Sequence, residues 1–280
     1  MERFSSRLVY MHEDLRKFLR RLTALGGYCT AQQAKSLQLA GWDRGVRGRL
    51  RMLARLGFLR RISKYPVVYQ VTKATTRLLG RDSSTRRRHT LETVQARLLA
   101  VHFYIEARAW PGEFVFKHEE KIRIFTDAGC PLSTLPQRNG KPYVRDYFMF
   151  WLPDLRIAIA MIDQPRPDQF VRLRLFLRQF LPVLRSVREQ IDLFIVTPDQ
   201  QRKFAYEKLL RTSRAIHKLG LGSLAPRIKT YSVRPPVPTI IEAIWPKADK
   251  YDEIADVADD SDDVIGDNSR QKHVHRLIGE

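Results

Sequence analysis

Two sets of residues in this chain have the types and spacing to do chemistry. The first is acidic. Asp154 follows Pro153 just ahead of an apolar run, Leu155 to Ile162, and Asp163 closes that run. Two or three carboxylates that converge on one point hold a hard divalent cation, because oxygen ligands suit Mg²⁺ or Mn²⁺. Such an ion can polarise a phosphodiester and activate water. Glu106 or Glu113 could supply a third carboxylate. The catalytic candidates are therefore Asp154, Asp163 and Glu106, with Asp154 and Asp163 as the metal ligands. The set is incomplete: a basic side chain would orient water and offset charge, and Gln164 and Pro165 follow Asp163 instead. Pro-Asp is also an ordinary strand cap or turn. The balance leans against catalysis, and no cofactor is required beyond Mg²⁺ or Mn²⁺ if the site is active.

The second set is basic. Between Gly27 and Leu79 the sequence reads as a short helix capped by Thr30, a turn at Gly41, a second helix capped by Asp43, and two β-prone runs flanking Tyr65-Pro66. Gly57 sits where a left-handed C-terminal residue belongs. In the second helix Val46, Leu50 and Leu53 form an inward stripe, while Arg44, Arg47, Arg51 and Arg55 form another at spacings of three and four; Arg49 lies between them. Arginine suits bidentate contacts to phosphate and guanine. The basic character continues through Arg60, Arg61, Lys64 and Arg86, Arg87 and Arg88; from Trp42 to Arg88 fourteen Lys/Arg stand against two Asp. A charge run is commonly a solvated face, but one with so little acid to neutralise it points to a polyanion. Helix, turn, basic helix and β-ribbon is the layout of a winged helix-turn-helix on double-stranded DNA.

The elements that must carry these groups follow the 3.6- and 2-residue periods. Residues 1–26 read as one helix, with Leu8, Met11, Leu15, Phe18, Leu19 and Leu22 on one face. Residues 1–80 make the winged helix-turn-helix domain, and 81–88, polar and basic, a linker. A second domain, 89–245, opens with a long helix from Leu91. Strands follow at Phe114–Phe116, Lys121–Phe125, Val144–Leu152 and Leu155–Ile162, with a loop-rich insertion at 126–142. Then come a helix at Asp168–Val187 that Pro182 can kink, a strand at Ile191–Val196, a helix at Gln200–Leu219 and a strand at Arg227–Val233. That order implies an α/β sheet with parallel crossovers. Residues 246–280 hold five Lys/Arg against ten Asp/Glu, a disordered acidic tail by composition.

The winged unit closing on Val68-Tyr69-Gln70-Val71-Thr72, the basic linker before His89-Thr90-Leu91, and Pro153-Asp154 before a buried strand to Ile162-Asp163 resemble the replication-relaxation family and the related C-type mobilisation relaxases. The resemblance covers roughly residues 10–215. It implies an N-terminal winged helix joined to a restriction-endonuclease-like α/β domain, and a role in plasmid replication, conjugative mobilisation or recombination. It also implies a relaxase, recombinase or other mobile-element protein as partner. His89 matches the family's histidine; a helix N-terminal residue near phosphate accounts for it equally well. Members of the family often carry Glu-hydrophobic-Asp where this chain has Met161-Ile162-Asp163, so the resemblance implies a degenerate nuclease-like domain.

Composition bounds the alternatives. The 280 residues carry 50 Lys/Arg against 30 Asp/Glu, a formal charge of +20, and a soluble chain with that excess usually meets nucleic acid. No run of about 18 apolar residues suggests a membrane span. Cys29 and Cys130 stand apart without metal spacing, as in a reducing, cytoplasmic compartment. There is no Gly-x-Gly-x-x-Gly or Walker-type loop and no spacing that suggests a Ser-His-Asp triad. His102 and His118 are isolated, and His273 and His275 lie in the tail. The competing expectations are an active metal-dependent nicking nuclease or relaxase and a winged-helix transcriptional regulator.

Overall fold

The first core is built from the apolar faces of three short helices laid against a three-stranded sheet. The computed structural model describes residues 10–37, 45–80, 89–108, 113–144, 147–152, 154, 156–164, 169–187, 190–212 and 221–234. Helix α1 (Glu13–Ala24) buries Leu15, Phe18, Leu19 and Leu22. It does not run on from residue 1 as one helix: His12 is extended and caps it, its side chain accepting from the Leu15 amide, with Glu13 and Asp14 in the favoured first turn. Strand β1 (Tyr28–Thr30) leads into α2 (Ala31–Ser36), where Thr30 and Gln33 form a reciprocal capping box. Helix α3 (Val46–Arg55) turns Val46, Leu50 and Leu53 inward. It starts at Gly45 without a side-chain cap, so the cap expected of Asp43, a residue outside the described ones, is not where this helix begins.

Gly57 ends α3 with φ 75°, and the Phe58 amide reaches back to the Leu53 carbonyl at 2.9 Å. That is the left-handed closure glycine adopts without a Cβ penalty. Strands β2 (Leu59–Lys64) and β3 (Val67–Val71) form an antiparallel ribbon, and β1 pairs with the far edge of β3, giving the order β1-β3-β2. Helix α4 (Lys73–Leu78) follows, capped by Thr72.

Helix α5 (Leu91–Ala107) serves both halves of the chain. Val94 and Leu98 pack on Tyr28 and Val68, and Val101 and Tyr104 join the core of α1 and α3. Leu99, Phe103 and Ala107 instead cover one face of a second sheet. A helix apolar on most of its circumference is one buried on more than one side. Polar ties fix the contact: Gln33 Nε2 donates to the Leu98 carbonyl at 2.8 Å, and Arg97 Nη1 to that of Gly26 at 2.9 Å.

The second sheet contains β4 (Phe114–Val115), β7 (Phe148–Trp151), β8 (Ile157–Ile162), β9 (Ile191–Thr197) and β10 (Ile228–Ser232), in the order β10-β9-β8-β7-β4. Between β4 and β7 lie α6 (His118–Asp127) and a small hairpin of β5 (Gln137–Arg138) and β6 (Lys141–Pro142). Strands β8, β9 and β10 are parallel, joined through α7 (Gln169–Ser186) and α8 (Gln200–Arg211); β7 and β4 are antiparallel additions. The sheet is mixed, and both its faces are covered.

The expected strand at Lys121–Phe125 is the middle of α6. Its alternation of Ile122 and Ile124 with charges imitates a strand, but Lys121 and Phe125, four apart, are the residues the helix buries. Gly129 at φ 80° closes α6, with the Cys130 amide on the Phe125 carbonyl. The helix expected at Gln200–Leu219 is described as far as Arg211. Both cysteines are free and buried, and burial pushes the Cys29 thiol up to about 12. No helix among the described residues is long and apolar enough to cross a membrane.

Candidate nucleic-acid interface

The outward half of α3 carries a row of positive charge with no acid on its own helix. With Val46, Leu50 and Leu53 fixed in the core, the 3.6-residue period turns Arg47, Gly48, Arg51, Met52 and Arg55 to solvent. The helix contains no acidic residue, and among the described residues no carboxylate pairs with Arg47, Arg51 or Arg55. Arg49 is half-buried at the margin. Beside α3, the β2–β3 ribbon projects Lys64 and Tyr65, the tyrosine 72% exposed at the tip. Arg61 is also exposed, and its Nε donates to the Ser63 carbonyl across a bulge in β2.

Arg60 differs from the expectation. It is half-buried, and its Nε donates to Gln70 Oε1 at 2.8 Å on the neighbouring strand, so its guanidinium is held inside the sheet and is not part of the outer face. Its charge and that of Arg97 bear instead on His89, which lies edge-on to Tyr28 with ring centroids 6.0 Å apart. Burial first, then Arg97 and Arg60, push the His89 imidazole down to about 4. Arg44, Arg86, Arg87 and Arg88 lie outside the described residues. Met52 and Tyr65, outside the set read from the sequence, are exposed beside these arginines. The signal for Met52 was present, a large apolar side chain set four residues from Gly48 on the charged face.

The acidic candidates do not come together. Asp154 lies before β8 and Asp163 after it, so the six residues of that strand separate them by about 20 Å. Asp154 is half-exposed and bound by Arg156, whose Nε and Nη2 lie 2.7 and 2.6 Å from Oδ2; that hydrogen bond holds the carboxyl below its ordinary range. Asp163 is buried, with its oxygens already taken. Arg202 donates to it through Nε and Nη2, and Tyr206 Oη donates to Oδ1 at 2.8 Å. Burial, followed by the Asp163 charge, raises the Tyr206 hydroxyl. Glu106 sits on α5, across the sheet from α8, accepting from Tyr231 Oη at 2.5 Å and from the Arg234 amide.

These groups do not fit a divalent cation: two carboxylates are apart, and the buried one is satisfied by donors. Met161, at the position where the resembled family has an acid, is packed in the core with Leu173 and Phe176. Among the described residues no group of three His, Cys, Asp or Glu could hold a metal. The sequence also concealed Asp192, which lies inside the apolar run of β9. It is buried and bound by Arg156 Nη1 at 2.8 Å, Lys229 Nζ at 2.7 Å and Arg227 Nε at 3.4 Å, tying the starts of β8, β9 and β10.

Comparison with protein-family models, with curated proteins and with solved structures finds no match for this chain.

Proposed function

We propose that this chain is a double-stranded DNA-binding protein that reads duplex with α3 in the major groove and lays the β2–β3 ribbon along the backbone, as a winged helix does. The observation that carries this reading is the row of Arg47, Arg51 and Arg55, exposed at four-residue spacing on a helix without an acid and without ion-pair partners among the described residues. Holding like charges together is unfavourable in the free protein. A polyanion that releases its own counterions on contact removes that cost. The setting we propose, a plasmid or other mobile element engaged in mobilisation, replication or recombination, rests on the resemblance carried by residues 68–72, 89–91 and 153–163. The α/β part acts in this reading as a scaffold and as a surface for a relaxase or recombinase.

The test is Arg47→Ala with Arg51→Ala in one protein. Helical content should be unchanged, while loss of base and phosphate contacts should weaken duplex binding by roughly 1–3 kcal/mol per base-reading arginine. Binding equal to that of the unaltered protein removes α3 as the recognition element.

A further inference from the structure

Gly48 occupies the middle of the exposed face of α3, and nothing among the described residues requires a glycine there. A Cβ built on it meets nothing within 4 Å, and its backbone is not in the left-handed region. Glycine is the poorest helix former after proline, so an unneeded one within a helix works against folding. Met52 lies one turn on, on the same meridian as Gly48, and is 40% exposed among arginines. The face therefore has an apolar seam, a notch and then a thioether side chain, running beside the guanidinium row of Arg47, Arg51 and Arg55.

We propose that this seam is the base-reading element of α3, with the Gly48 notch admitting a base-pair edge against the helix backbone and Met52 packing on a thymine methyl in the major groove. The inference rests on the DNA-binding reading and extends it to a substrate class, duplex sites with thymine under the seam. The chemistry is selective, because the C5-methyl of thymine is the apolar feature of a major groove otherwise lined with hydrogen-bonding groups. The polarisable methionine side chain adapts to it. The adjacent arginines bring the charge that a duplex, and not an apolar partner, complements.

The experiment selects a preferred site from a randomised duplex pool with the full-length protein, then compares that site with a scrambled duplex for the unaltered protein, Gly48→Ala, Met52→Ala and Met52→Leu. Gly48→Ala should melt about 2 °C higher or unchanged. It should nevertheless lose roughly tenfold in affinity for the selected site, because a methyl fills a close-packed contact. Its affinity for the scrambled duplex should be kept. Replacing thymine by uracil under the seam should weaken the unaltered protein about fourfold. Met52→Ala should abolish that discrimination and Met52→Leu should retain it. If both alanine variants bind the selected site as tightly as the unaltered protein and no uracil substitution matters, the seam reads nothing and the inference falls alone. If the unaltered protein binds no duplex at all, the DNA reading falls and takes the inference with it.

Discussion

At the residue scale, two of the groups that looked catalytic, Asp163 and Glu106, are bound up in contacts that hold the fold. Asp163, buried between Arg202 and Tyr206, fastens α8 to the end of β8. Arg202→Ala leaves that carboxylate buried without its ionic partner, which should cost about 3–5 kcal/mol. Asp154→Ala removes an exposed pair worth little. Thermal melts of the two variants should therefore differ by many degrees, and equal melts would show that the Asp163 pair is not structural. His89 makes a second prediction. The unfolded chain takes up its proton near 6.5, whereas the folded chain resists until about 4. The unfolded state therefore binds more protons between those values, and stability present above 6.5 is lost as the pH falls toward 4. His89→Phe should flatten part of that slope, with the rest carried by His102, whose pKa burial also lowers. An unchanged melting-temperature profile across pH 4 to 6.5 would mean that the imidazole is not held neutral by its surroundings.

At the element scale, α5 determines how the chain behaves as a folding unit. Phe103 is fully buried against Phe114, Phe150 and Tyr231, while Val101 and Tyr104 on the same helix belong to the core of α1 and α3. Phe103→Ala should cost about 3–5 kcal/mol. Because the helix is shared, the loss should lower one common transition seen by both far-UV and aromatic signals; two separated transitions would show the halves to melt independently. Most elements were legible because a single period dominates them. The stripe of Leu15, Phe18, Leu19 and Leu22, the cap at Thr30, and the buried runs of β8 and β9 each follow from local pattern. Where two periods competed the reading failed, as in Ile122 and Ile124 of α6, whose assignment depends on Phe125 and Lys121 being the buried pair. The candidate site divides the same way. The arginine row of α3 is one helix's periodicity and is visible in sequence. The commitments of Arg60 to Gln70 and of Asp163 to Arg202 join residues 10 and 39 positions apart, and no local pattern announces them.

At the scale of the whole molecule, charge decides behaviour toward a partner. A formal +20 over the chain includes a segment at 246–280 with twice as many acids as bases, so the remainder is more basic still. If α3 and the ribbon meet six to ten phosphates, affinity should fall by roughly 10³–10⁵ between about 50 and 200 mM salt, because each neutralised phosphate releases condensed counterions. A nearly flat dependence would exclude a phosphate-driven interface. The acidic segment is expected to compete in the same terms. Its five carboxylates between Asp256 and Asp263 form a short polyanion on the same chain as the arginine row, at an effective concentration that a free duplex must exceed. Removing residues 246–280 should therefore tighten non-specific duplex binding at low salt, and the difference should shrink as the Debye length falls from about 30 Å at 0.01 M toward 3 Å at 1 M. Equal binding by the full and shortened chains at low salt would show that the acidic segment does not screen the basic face.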